Sequence, residues 1–304
     1  MSPSVGPSAP FVPSATPNPR LQRSSDGLPG FLIVGAMKSG TTTLAVMLAR
    51  HPGIYMHPAK ELHFFDRYPD RGLDWYRAQF RGAQRGSLVG EATPEYMFDP
   101  RASDLMAEVL PAARLVAILR DPVDRAYSHY WHNRMHDREP LSFHDALAAE
   151  RQRTMRSRID RWRYSYATRG LYADQLRHLE RWYPREAIHV MLTSDLLEQP
   201  QKQMDDVVRF LGLSMGGLAP SGGLPREGRY QAVRSWRLRN VTNGLRRCGP
   251  FGRQLARVAW HLNHVTIPYP PMSADDRRRL RAFFREPDTE LESWLDRDLS
   301  AWRE

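Results

Sequence analysis

Lysine and hydroxyl side chains beside glycine are the residue types that grip an anion such as phosphate. The segment Phe31 to Thr43, FLIVGAMKSGTTT, brings them together directly after an apolar run. Gly35 and Gly40 let the backbone turn closely around a ligand. A helix opening at Thr41 would present unpaired N–H groups to an anion. Lys38 adds a full positive charge, so Lys38, Ser39, Gly40, Thr41 and Thr42 form a candidate anion loop. In a nucleotide P-loop the lysine directly follows the second glycine, whereas Lys38 precedes Gly40. Taken alone, the stretch also fits a strand-to-helix turn with no ligand. Further on, Lys60-Glu61-Leu62-His63-Phe64-Phe65-Asp66 sets ionisable groups beside two aromatics, which makes Glu61 and His63 candidates for acid–base work. Each has an ordinary alternative: a surface carboxylate paired with Lys60 or an arginine, and a structural histidine. Arg120 and Ser128 are spaced to share a second anion, unless Arg120 simply pairs with Asp121 or Asp124. His129, His132 and His136 fall on one helical face. No carboxylate or fourth ligand accompanies them, so they read as a polar helix face rather than a zinc site.

These residues need elements to hold them. Phe31 to Val34 suits a buried parallel strand and Thr41 to Arg50 the helix after it. Short strands are expected at Ile54 to Met56, Ser87 to Glu91, Arg114 to Leu119 and Ala187 to Leu192. Helices are expected at Asp70 to Phe80, Ala102 to Leu110, Val123 to His136, Ser142 to Arg153, Leu171 to Tyr183 and Asp195 to Leu211. Asp121 is placed to cap the helix that Pro122 begins, and Ser142 with Asp145 has capping-box spacing. The segment Leu213 to Tyr230 reads as a loop, followed by a basic stretch from Arg226 to Arg257 that fits a lid or a surface-facing helix. Ser273 to Trp302 reads as two short helices divided at Glu286-Pro287. Strands alternating with helices predict an α/β fold with a single doubly wound parallel sheet, flanking helices and a helical C-terminal region. In such a sheet the loops after the first and third clear strands gather where ligands bind, so Lys38 and Arg120 would meet there.

With 304 residues, 41% hydrophobic and 26% charged, the chain has the composition of a globular protein with a sizeable core. No apolar run reaches the length needed to span a bilayer. The opening MSPSVGPSAPFVPSATPNPR lacks the basic start and apolar centre of a secretory signal. Its Pro and Ser content predicts a disordered leader over residues 1–28, before a single domain over 29–304. One cysteine, Cys248, excludes an intrachain disulfide and a four-cysteine metal site, and points to a reducing, cytoplasmic setting. A formal charge of +10 favours an anionic partner: nucleic acid, a membrane surface, or an anionic cofactor or substrate.

Four motifs together resemble the sulfotransferases that use 3′-phosphoadenosine 5′-phosphosulfate. They are GAMKSGTTTL at Gly35 to Leu44, HPGI at His51 to Ile54, KELHFFD at Lys60 to Asp66 and ILRDPVDRAYSHY at Ile118 to Tyr130. RGLYADQLRHLERWYP at Arg169 to Pro184 adds weaker support. The likeness is nearest to the bacterial and heparan-sulfate-like carbohydrate branches. It implies that Lys38, Ser39, Gly40, Thr41 and Thr42 hold the 5′-phosphosulfate, in a P-loop-like phosphosulfate-binding loop, and that Arg120 with Ser128 holds the 3′-phosphate. Glu61 matches the general base of the glycan 3-O branch, with His63 beside it. Sulfuryl transfer is chemically close to phosphoryl transfer, so positioning and charge stabilisation carry it, and Lys38 would meet the leaving phosphate without a metal.

The chain departs from the heparan branch in three places. It reads Glu91-Ala92-Thr93-Pro94 where that branch has a lysine before Thr-Pro, and it cannot form that branch's disulfide. Arg234 is the residue that would stand in for the disulfide-bound loop's anion contact, and the loop from Gly212 to Gly228 has no counterpart. The acceptor expected is therefore a hydroxyl-bearing glycan, glycolipid or small metabolite met by a cytoplasmic, bacterial-type enzyme. No nucleic-acid partner is expected, and transient contact with a membrane surface is allowed. The rival readings are a P-loop small-molecule kinase, which needs a Mg-binding aspartate, and a non-catalytic nucleotide- or nucleic-acid-binding protein.

Overall fold

The computed structural model describes residues 27–214, 229–233 and 264–303. Five strands, β1 (Phe31–Gly35), β2 (Ile54–Met56), β3 (Leu88–Ala92), β4 (Arg114–Leu119) and β5 (Ile188–Leu192), form one parallel sheet in the order β2-β3-β1-β4-β5. Side chains alternate across a strand, so β1 and β4 serve both faces. Leu32, Val34, Leu115, Ala117 and Leu119 enter one buried cluster, and Phe31, Ile33, Val116 and Ile118 the other. The first cluster is covered by α2 (Leu73–Ala78), α3 (Pro100–Val109) and α8 (Tyr172–Glu180), and the second by α1 (Thr41–Leu48) and α10 (Pro200–Phe210). The sheet is thus doubly wound, as the alternation of elements predicts.

The chain leaves β1 toward β2 on one side, while β4 lies on the other side of β1, so a crevice opens between the ends of β1 and β4. Ala36 N donates to Ile118 O at 2.8 Å, binding the loop after β1 to β4. Beyond β4 comes α4 (Pro122–Met135), capped by Asp121, whose carboxylate accepts from Val123 N at 2.8 Å. Between α4 and α8 lie α5 (Phe143–Ala148), α6 (Glu150–Thr154) and α7 (Arg158–Tyr164).

Several boundaries differ from the sequence expectation. Ser142 to Arg153 is two helices rather than one, and so is Asp195 to Leu211, which divides into α9 (Thr193–Glu198) and α10 at Pro200. A proline N–H is missing, so Pro200 starts a helix more readily than it continues one. The arginine-rich segment between Arg153 and Leu171 holds α7. Arg229 to Val233, read as the meeting of a loop and a basic segment, is a strand, β6, paired antiparallel with β7 (His264–Pro268). The C-terminal segment is one helix, α11 (Ala274–Leu295), with Pro287 inside it, not two. Leu280, Phe284 and Leu291 on the two sides of Pro287 are all buried, and that shared apolar stripe outweighs the one backbone hydrogen bond the proline removes. The expected leader through residue 26, the loop through residue 228, and Arg234 with most of the basic stretch lie outside the described residues.

Candidate active site

The anion loop is built by backbone geometry. Gly40 takes φ +103° at the N-cap of α1, a conformation that a side chain would strain. Gly35 is glycine for packing: a Cβ there would stand 2.9 Å from Met97 Cβ. Thr193, at the end of β5, donates its hydroxyl to Ser39 O at 2.6 Å and to Leu119 O at 3.0 Å, locking the loop onto β4. Thr41 is buried and Thr42 exposed at the helix start, while Ser39 Oγ is buried without a hydrogen-bond partner among the described residues. A buried hydroxyl left unmatched inside an anion loop suits a ligand oxygen. The half-buried Lys38 has its pKa lowered, first by burial, then by the positive charge of Arg120, and further by Lys60, with Glu61 opposing. Lys38 and Arg120, about eighty residues apart in sequence, therefore share one electrostatic field at the crevice.

Five non-glycine residues have positive φ among the described residues, and Lys38 (70°), Glu61 (69°) and His63 (54°) are three of them. Such conformations cost energy and concentrate at functional sites. Glu61 and His63 lie on the loop after β2. Glu61 Oε1 accepts from Lys60 Nζ at 2.8 Å, and Glu61 Oε2 stands 3.6 Å from His63 Nε2. His63 Nδ1 meets both oxygens of the fully buried Asp66, at 2.9 and 3.1 Å. Burial works to lower the His63 pKa, but the hydrogen bonds to Asp66, the contact with Glu61 and the field of Asp66 raise it to about 9. Burial works to raise Glu61, yet His63 and Lys60 bring it down to about 2. At neutral pH the pair is an imidazolium and a carboxylate. Glu61, His63 and Glu95 offer three ligand atoms within 4.8 Å of one another. A protonated His63, with Nδ1 committed to Asp66, has no lone pair to give a metal at that pH.

A buried network holds this loop against the sheet. Glu91 on β3, 1% exposed, accepts from Tyr76 OH, from Tyr96 OH at 2.7 Å and from Thr93 Oγ1 at 2.8 Å. Its pKa is raised by burial, against those three donors. Tyr96 OH in turn accepts from Phe64 N at 3.0 Å, and Glu61 N donates to Ala92 O at 3.0 Å. Phe64 stacks on Tyr76 with centroids 4.3 Å apart.

Arg120 stands one residue beyond β4. Asp121 and Asp124, the carboxylates next to it in the sequence, each meet an arginine of α11: Arg281 grips Asp121 through two contacts of 2.8 and 2.7 Å, and Arg277 meets Asp124 at 3.3 Å. Ser128 is buried on α4. His129 and His132 on α4 and His136 just after it are not a uniform polar face. His129 is 1% exposed, rests edge-on to Tyr166 at 4.9 Å, and is kept neutral by burial and by Arg169 and Arg125. His132, one turn beyond Ser128, has its pKa lowered to about 3 by burial and then by Lys38, while Glu61 acts to raise it. His132 is therefore a neutral imidazole within the field of Lys38 and Glu61. Its four-residue spacing from Ser128 was the available sequence signal. Asp66 was also missed as a site residue, although it closes the same motif as Glu61.

The comparisons with known proteins agree with this geometry. A family model described as a sulfotransferase domain matches residues 28–241. The mouse protein "Bifunctional heparan sulfate N-deacetylase/N-sulfotransferase 3" is 29% identical over 296 residues, 91% of this chain and 31% of that protein. Human "Bifunctional heparan sulfate N-deacetylase/N-sulfotransferase 2" is 28% identical over 91% of this chain and 30% of its own length. The chain thus spans about a third of the curated relatives it matches. The crystal structure of a sulfotransferase from Alicyclobacillus acidocaldarius superimposes with a TM-score of 0.67 at 30% identity, covering 91% of this chain and 99% of that one. An anion loop after β1, an arginine after β4 and a family match across most of the described sheet lead to one conclusion: the chain belongs to the sulfotransferase domain family.

Proposed function

We propose that the protein transfers a sulfuryl group from 3′-phosphoadenosine 5′-phosphosulfate to a hydroxyl of a carbohydrate or related acceptor. The observation that carries this is the common field of Lys38 and Arg120 at the crevice, with Glu61 as its nearby counter-charge. The donor supplies an activated sulfuryl group and a phosphate leaving group. Lys38, the start of α1 and the unmatched Ser39 hydroxyl would hold its 5′ end, and Arg120 with Ser128 its 3′-phosphate. Lys38 stabilises charge building on the leaving phosphate. Glu61 takes the acceptor proton. Its low pKa fits a late transfer, because a hydroxyl oxygen becomes strongly acidic only as its bond to sulfur forms. His63 holds Glu61 in place, and Asp66 holds His63. No metal is needed for these steps.

The acceptor side is basic. Arg138 N donates to Asn133 O and Asn133 Nδ2 to Arg163 O, so both arginines gather at the end of α4 next to His132. Arg67 stacks on Trp162 at 4.7 Å, beside Arg163. Such a rim favours an acceptor carrying acidic groups, in line with the heparan sulfate in the names of the curated relatives. The single cysteine supports a reducing compartment, and localisation of the tagged full chain tests it. For the reaction itself, labelled donor is offered to a panel of acidic and neutral glycans. Glu61→Gln is expected to abolish turnover while donor binding stays within a few-fold of wild type, and unchanged turnover would remove Glu61 from the base role.

A further inference from the structure

Lys60 lies between the two halves of the site. Its Nζ donates to Thr41 Oγ1, on the first residue of α1, at 3.2 Å and to Glu61 Oε1 at 2.8 Å. One ammonium thus touches the anion loop and the proposed base at once. Its side chain keeps 19% of its surface exposed, against 40% for Glu61, so it is sheltered without being sealed off. The neighbouring end of β3 offers Ala92 rather than a cation: its carbonyl accepts the Glu61 N–H, and it is itself 3% exposed. Lys60 is therefore the cation that spans the gap between donor and base.

A group moving in line from the donor's 5′-phosphate to an acceptor oxygen beside Glu61 must cross that gap. Resting on the donor-and-base reading above, we propose that Lys60 is a further catalytic residue, which binds the non-transferring oxygens of the sulfuryl group itself. Lys38 serves the phosphate that leaves, and Lys60 the group that moves. In the transfer the acceptor O–S bond forms and the S–O bond to the 5′-phosphate breaks. The electron pair goes to that phosphate and the acceptor proton to Glu61. Lys60 stays hydrogen-bonded to the sulfuryl oxygens throughout, neutralising charge that sits on the reaction centre in both ground and transition states.

This division of labour separates two ligands that differ by the sulfuryl group alone. Adenosine 3′,5′-bisphosphate has both phosphates, and 3′-phosphoadenosine 5′-phosphosulfate adds the sulfuryl. Calorimetric titration of the full chain with each, in the absence of acceptor, reads the contribution of Lys60. Lys60→Met is expected to weaken the phosphosulfate by roughly tenfold or more, the loss of a charge-assisted hydrogen bond, and the bisphosphate by less than about twofold. Lys60→Arg should retain most of the difference, and Lys38→Ala should weaken both ligands together. Equal weakening of the two ligands by Lys60→Met would assign Lys60 to the loop alone, and no weakening of either would remove it from the site. If wild-type protein binds neither ligand, the sulfotransferase reading itself fails; a wild type that binds both while Lys60→Met does not discriminate overturns only the role of Lys60. A cooperative thermal unfolding transition near the wild-type temperature in both Lys60 variants keeps misfolding out of the result.

Discussion

Asp66→Asn is the sharpest perturbation of the acid–base loop. Asp66 is fully buried and meets His63 Nδ1 through both oxygens. The His63 rise from 6.5 to about 9 is worth roughly 3 kcal/mol in favour of the imidazolium, and it is reached against the opposing effect of burial. An asparagine keeps the shape and removes the charge, so burial then dominates and His63 should titrate below 7. The sign of the stability effect follows. A histidine pKa raised on folding contributes fully below pH 6.5 and fades as pH rises through 9. Asp66→Asn should therefore cost about 2 to 4 kcal/mol at pH 6, with the gap to wild type narrowing above pH 9. Imidazole NMR titration reads the pKa, and urea unfolding at pH 6 and pH 10 reads the stability. A wild-type His63 that titrates near 6.5, or one that stays near 9 in Asp66→Asn, would refute this electrostatic account of the loop.

Two further outcomes concern the scaffold. Asp288 on α11 is 2% exposed, and burial with the nearby charge of Asp121 pushes its pKa up to about 7, against Arg281 and Arg303. A carboxyl raised on folding removes stability as pH climbs from about 4 to 7, so Asp288→Asn should gain about 2 to 4 kcal/mol at pH 8 and little at pH 4, as read by denaturant unfolding at the two pH values. Thr193→Val keeps the volume but deletes the hydroxyl that reaches Ser39 O and Leu119 O. It should cost about 1 to 3 kcal/mol and weaken adenosine 3′,5′-bisphosphate several-fold, because the loop is no longer fixed to β4.

The parts that were legible in the sequence were those written in local chemistry. The apolar runs of β1 and β4 are each followed by a cation, so the strands and the expected meeting of Lys38 and Arg120 at one end of the sheet could be read together. Glu61 and His63 stood out because they sit beside two phenylalanines. What could not be read depends on contacts distant in sequence. His129 resembles His132 and His136 in the chain, and only the packing of Tyr166 and the nearness of Arg125 and Arg169 separate it from them. Pro287 signals a helix break locally, and the burial of Phe284 and Leu291 overrides that signal. Arg281 belongs to the site's support through Asp121, 160 positions away, which no spacing rule connects.

The central claim is a two-ended clamp for a donor phosphorylated at both ends. Calorimetric titration with adenosine 3′,5′-bisphosphate tests it most directly, on wild type, Lys38→Ala and Arg120→Ala. The account predicts one site per chain that weakens as salt is added, and a loss of roughly tenfold or more in each variant. No binding by the wild type, or near-wild-type affinity in both variants, would contradict it.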